Sequence, residues 1–91
     1  MIASFRHKGL RNLFEDDDAA GVPPELIGRC RTRLAALRRA TSLDALRVPG
    51  WRLHALQGRP LRWALAVNGP WRITFGWDGE DAIGVDLEQY H

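Results

Sequence analysis

The chain has one cysteine, Cys30, and none of the CxxC or HxxxH spacings that gather zinc ligands. An internal disulfide is therefore impossible, which fits a reducing compartment. The three histidines are scattered along the sequence, so neither a metal site nor a bound cofactor is expected. No apolar run approaches the ~20 residues needed to cross a bilayer, and the opening MIASFRHKGL lacks the long apolar segment of a secretory leader. A cytoplasmic protein without membrane contacts is expected. The 91 residues suit one domain, residues 1–91. A chain of this size buries only about two-thirds of its unfolded surface, so its core is thin, and the four tryptophans help to fill it.

Acidic residues are also missing from one long stretch. Residues 45–77 contain none, while the same stretch holds Arg47, Arg52, Arg59, Arg62 and Arg72 and no lysine. After Arg72 every formal side-chain charge is negative: Asp78, Glu80, Asp81, Asp86 and Glu88. Arginine without lysine suits forked, planar recognition of phosphate or carboxylate. An arginine-rich composition accounts for the same numbers on its own, so position has to decide.

Residues 2–6, IASFR, read as a short first strand. In HKGLRNLFEDDD, Leu10, Leu13 and Phe14 fall at helical spacing, with His7 at the helix start, and the acidic run Glu15 to Asp18 ends the helix by opposing its dipole. PPELIGRCRTRLAALRRA is the clearest helix. Proline and Glu25 suit its first turn, and Leu26, Ile27, Cys30, Leu34 and Leu37 make one apolar stripe. Arg29, Arg31, Arg33, Arg38 and Arg39 are expected on its other sides, and Cys30 in the core. Four strand-like runs follow, at about 51–56, 61–67, 71–77 and 82–88. Asn68-Gly69 and Asp78-Gly79 read as type I′ hairpin turns. The order β-α-α-β-β-β-β predicts an α+β domain, with two N-terminal helices packed on a curved, mostly antiparallel sheet.

Alternation within each strand assigns two faces. Odd positions carry the apolar set, including Trp63, Leu65, Ile73, Phe75, Ile83 and Val85. Even positions carry Arg52, His54, Arg62, Arg72 and Thr74 among the small residues Ala64, Ala66, Gly76 and Gly84. A polar face is normal for a half-exposed antiparallel sheet. Arginine beside histidine and small residues is better suited to a polyanion than to solvent alone.

Four segments carry a resemblance: SFRHKGL near the start, LHALQG at 53–58, NGPWRITF at 68–75 and the closing DLEQYH. In order, they resemble the S-F-x-H-K-G-L, L-H-x-L-K-G, N-x-N-W-R-I-T-F and E-D-Y-H segments of the HigB-like branch of the RelE/ParE toxin superfamily. The resemblance covers essentially the whole chain. It implies a RelE-like fold and a toxin of a type II toxin–antitoxin pair. The implied activity is ribosome-dependent cleavage of messenger RNA, without a metal. The implied partner is a HigA-type helix-turn-helix antitoxin, through which alone operator DNA would be met.

The resemblance places the family's histidine on His54, its arginine on Arg72, and its closing residues on Gln89, Tyr90 and His91. It places a family lysine on Gln57. Gln57 and Gln89 therefore depart from the pattern, and Arg59 and Arg62 are candidates to restore the lost charge. Cleavage of RNA through its own 2′-OH needs a base, an acid and a cation for the phosphorane charge. His54 and His91 are the acid–base candidates, Arg72 the cation, and Tyr90 a stacking or hydrogen-bonding group. Arg52, Gln57, Arg59 and Arg62 are candidate RNA contacts. Two other classes stay open from the sequence: a non-enzymatic binder on the same fold (an inactive RNA binder or a ParE-like, gyrase-directed toxin), and a basic protein-interaction domain whose groove receives only an antitoxin.

Overall fold

In the computed structural model, residues 1–90 are described. Helix α1 spans Lys8–Asp16 and helix α2 spans Ile27–Arg39, the latter preceded by a 3₁₀ turn at Pro24–Leu26. A second 3₁₀ turn, Leu43–Leu46, leads into the strands β1 (His54–Leu56), β2 (Arg62–Asn68), β3 (Trp71–Trp77) and β4 (Ala82–Gln89). The strands form one antiparallel sheet in the order β1-β2-β3-β4. The α+β plan is therefore as the sequence predicts.

Local chemistry explains the element ends. His7 caps α1: its Nδ1 accepts the Leu10 backbone N–H at 3.0 Å, satisfying one of the orphan donors of the first turn. Asp17 closes the helix in the left-handed conformation at φ 55°, and its carboxylate pairs with Arg31 of α2. Helix α2 gains favourable dipole interactions from Arg38 and Arg39 in its last turn.

The core lies between the helices and one sheet face. Leu10, Leu13, Leu26, Cys30, Leu34 and Leu37 meet Leu65, Ile73, Phe75, Val85 and Leu87 in one buried cluster. Cys30 is fully buried, and burial pushes its thiol up to about 11, partly countered by Arg33. It stays protonated and acts as a small apolar side chain.

Several expectations are corrected. Residues 2–6 do not form a strand; they make two isolated parallel bridges, Ile2↔Ala82 and Phe5↔Val85, alongside β4. The first strand of the sheet begins at His54 rather than at 51. Asn68 pairs with Trp71, so the β2–β3 loop is Gly69-Pro70. Gly69 has φ 55° and Asn68 is not left-handed. A proline cannot take positive φ, so the sign pattern is that of a type II′ turn, not type I′. The β3–β4 connection is a four-residue loop, 78–81. It is organised by the Asp78 carboxylate, which accepts the N–H groups of Glu80 at 3.0 Å and Asp81 at 2.7 Å.

The strict odd–even assignment fails in β4. Thr74 pairs with Asp86 but Gly76 pairs with Ile83, so Gly84 and Val85 together face Phe75. Gly84 sits at φ 57°, as a bulge of this type requires. The extra residue turns Ala82 into the core and Ile83 onto the opposite, open face, where it is 39% exposed. Gly76 makes room for it: a Cβ there would come within 2.9 Å of Ile83 Cγ1. The small residues at 76 and 84 thus admit Ile83, Arg6 and Arg62 rather than leaving an empty groove.

Arg33, expected on the outer side of its helix, is buried at 8% exposure. Its Nε donates to the Ala66 carbonyl at 2.9 Å and its guanidinium stacks 4.8 Å from the Trp51 ring centroid. Burial, and then Arg29, hold its pKa below the ordinary arginine value.

Two stability outcomes are expected in denaturant melts. Gly84→Ala places a Cβ at positive φ and should cost about 1–2 kcal/mol; an unchanged midpoint would contradict the bulge. Arg33→Met keeps the stem but leaves the Ala66 carbonyl unpaired, and should cost about 1–3 kcal/mol.

Candidate nucleic-acid interface

The open sheet face is built of cross-strand rows. His54, Ala64, Thr74 and Asp86 form one cross-strand row. Ala66, Arg72 and Glu88 form the next. Same-face rows two residues apart are separated by about 7 Å of backbone. His54 and Arg72 therefore share a face and stand on neighbouring rows, as the strand alternation predicts. Arg52, Leu53, His54, Arg72 and Tyr90 line one shallow depression of about 600 Å³.

Main-chain carbonyls and an aromatic ring position Arg72. Its Nη1 donates to Gly69 at 2.8 Å and to Trp71 at 2.9 Å, and its guanidinium lies 5.4 Å from the Tyr90 ring centroid. The Tyr90 backbone N–H donates to the Pro70 carbonyl at 2.7 Å, which ties the end of β4 to the β2–β3 turn. The Arg72 guanidinium forms no ion pair among the described residues. Its charge remains available, although Glu88 is its cross-strand neighbour.

His54 is exposed, and its Nδ1 lies 2.8 Å from the Arg52 carbonyl oxygen. A carbonyl only accepts, so Nδ1 carries the hydrogen and Nε2 is left with a free lone pair in the neutral ring. Arg52 has φ 54°, an unusual conformation for a non-glycine residue. Sequence inspection missed this turn, because nothing about an arginine marks a left-handed position.

The remaining candidates lie elsewhere. Gln57 and Arg59 are exposed in the β1–β2 loop, outside the depression. Arg62 is half-buried and committed internally: its Nη2 donates to the Gly84 carbonyl at 2.8 Å and to Thr74 Oγ1 at 3.3 Å. Thr74 in turn donates to Glu88. Burial, and then the Arg6 guanidinium, lower the Arg62 pKa, with Glu88 and Asp86 opposing. His91 lies outside the described residues. Among the described residues, no group of three or more His, Cys, Asp or Glu could hold a metal ion, and no helix is long and apolar enough to cross a membrane.

Two helices on an antiparallel sheet, with a histidine, an arginine and a tyrosine gathered on its open face, define a small basic domain of the RelE-like kind. A family model described as a RelE-like toxin of the type II toxin–antitoxin system HigB matches residues 3–91. The chain is also similar to Endoribonuclease HigB of Proteus vulgaris, 41% identical over 92 residues and covering 100% of both chains. The chain belongs to the HigB-like toxin family. It is thus a toxin of a type II toxin–antitoxin system, and its partner class is an antitoxin.

The His54 geometry is directly measurable. Long-range ¹H–¹⁵N spectra of the neutral imidazole should show the Nδ1–H tautomer; a predominant Nε2–H form would contradict the bond to the Arg52 carbonyl.

Proposed function

We propose that this toxin is an endoribonuclease that cuts messenger RNA on the ribosome by metal-independent acid–base chemistry. The observation that carries the reading is the placing of His54, Arg72, Tyr90 and Arg52 around one depression. The 41% identity to a protein named an endoribonuclease supports it.

In the proposed reaction the ribose 2′-OH attacks its own 3′-phosphate. His54 Nε2, left free by the Nδ1–H bond to Arg52, takes the 2′ proton. A new O2′–P bond forms and the P–O5′ bond breaks. The products are a 2′,3′-cyclic phosphate and a 5′-hydroxyl. His91, which follows Tyr90 in the chain, protonates the leaving oxygen. Arg72 stabilises the charge that develops on the phosphorane oxygens, the part of the barrier most sensitive to fixed cations. Tyr90 stacks on a neighbouring base while holding the Arg72 guanidinium over its other face. Arg52 meets the flanking backbone. Arg59 and Gln57 are placed as outer contacts, while Arg62 chiefly braces the face. The toxin works in the cytoplasm and is neutralised by a HigA-type helix-turn-helix antitoxin, which carries the operator contact.

Inducible expression in a bacterium, with growth followed and transcript 5′ ends mapped, tests the reading. Cuts inside translated coding regions are expected. Growth arrest without such cuts would favour a non-enzymatic or gyrase-directed toxin. Arg72→Ala should lower cleavage about 10²–10³-fold, and His54→Gln about 10²–10⁴-fold, both with parental melting behaviour because neither side chain is in the core. Deleting His91 should also cut the rate strongly; parental cleavage would remove it from the mechanism.

A further inference from the structure

A second depression, of about 430 Å³, adjoins the first and shares Arg52 and Arg72 with it. Its other cationic walls are Arg29 and Arg33 of α2. Four arginines thus line one hollow, and among the described residues no carboxylate side chain lines it. Arg29, Arg33, Arg52 and Arg72 form no ion pair among the described residues.

The cluster is costly in the free protein. Arg29 and Arg33 are separated by one helical turn, where like charges repel, and Arg29 lowers the Arg33 pKa. Arg33 is held by Nε and Nη1, which donate to the carbonyls of Ala66 and Arg29. Its Nη2 has no bond among the described residues, and no buried polar side-chain atom there goes unpaired, so Nη2 reaches solvent. A donor fixed on two sides and open on the third is pre-organised for an anion. Glycines 50 and 69 line the hollow without side chains, and a Cβ on either would meet nothing within 4 Å. The lining aromatic ring, Trp51, is buried beneath Arg33 and cannot stack on a base.

We propose that the hollow bounded by Arg29, Arg33, Arg52 and Arg72 is a phosphate subsite for the nucleotide beside the scissile linkage of single-stranded RNA. This rests on the nuclease reading for which nucleotide it holds. Arg72 stands between the two depressions, so the backbone passes from the Tyr90 side across Arg72 and Arg52 to Arg29. Recognition here is of charge alone, without base selectivity, as in grooves that track a single strand.

The test is binding of a fluorescent single-stranded oligodeoxynucleotide, which lacks the 2′-OH that cleavage needs, measured by anisotropy over a range of salt. Arg29→Ala removes an exposed side chain and should preserve the fold, which thermal melting checks. Arg38→Ala, on the same helix but lining a different groove, controls for net charge. Arg29→Ala should reduce the slope of log affinity against log salt by about 0.7, the value for one phosphate contact on a single strand, and Arg38→Ala should leave it unchanged. Equal losses in both variants, no loss in either, or no binding by the parent would overturn the subsite. Cleavage in the transcript-mapping experiment is read separately: a parent that cuts messages with no Arg29-specific slope keeps its activity and loses the subsite. A parent that cuts nothing but shows that slope does the reverse.

Discussion

Ala66 sets the central constraint. Strand β1 pairs with β2 only from His54↔Ala64 to Leu56↔Arg62, so among the described residues no strand lies beside the edge of β2 at Ala66. An unpaired peptide group in a packed setting costs as much as a lost hydrogen bond. The protein meets this cost with two non-strand partners. The Trp51 carbonyl accepts the Ala66 N–H at 2.6 Å, and the Arg33 guanidinium donates to the Ala66 carbonyl at 2.9 Å. From this follow the burial of Trp51, the stacking of Arg33 on it and the docking of α2 on the sheet edge. The chain must then pass from the Trp51 contact to the β1 pairing within a few residues. Arg52 makes that step at positive φ, and its carbonyl meets the His54 ring.

The same constraint divides the arginines into two populations. Arg33 and Arg62 commit donors to backbone carbonyls and act as braces, Arg33 keeping only Nη2 open toward the hollow. Arg29 and Arg52 are exposed and make no ion pair among the described residues, while Arg72 is held by carbonyls at one nitrogen only. Positive potential on this surface is therefore a property of partner choice. Arg31 and Arg47, by contrast, are paired with Asp17 and Asp44.

The two helices, the existence of four sheet strands and the sharing of a face by His54 and Arg72 were legible from periodicity, because a packed core imposes it; the strand read at 2–6 was not there, since that segment makes only isolated bridges. Arg33 was not, although its position carried a signal: Cys30, Arg33 and Leu37 follow the helical stripe, and the residue type obscured it. The Gly84 bulge was signalled by a lone glycine in a strand pattern, yet its effect on Ala82 and Ile83 depends on a register that only pairing with β3 determines. The Gly69-Pro70 turn was not marked in the same way: proline excludes a positive φ at 70 but not at 68 and 69, and only the Asn68↔Trp71 pairing sets the frame. No signal marked Arg52. Its backbone conformation is dictated by what Trp51 and His54 bind on either side of it.

The partner that fixes the His54 tautomer is a peptide carbonyl rather than a carboxylate. Every residue carries such a carbonyl, so no codon change at position 52 deletes it. In sites where aspartate orients a histidine, one nucleotide substitution removes the orienting group; here the gene offers no equivalent target. Under the proposed chemistry, substitutions that disarm this protein while leaving it folded fall on the side chains proposed to act, on those proposed to hold RNA, or on the few residues that bend the chain before β1. Selection for escape from its toxicity would read out that short list.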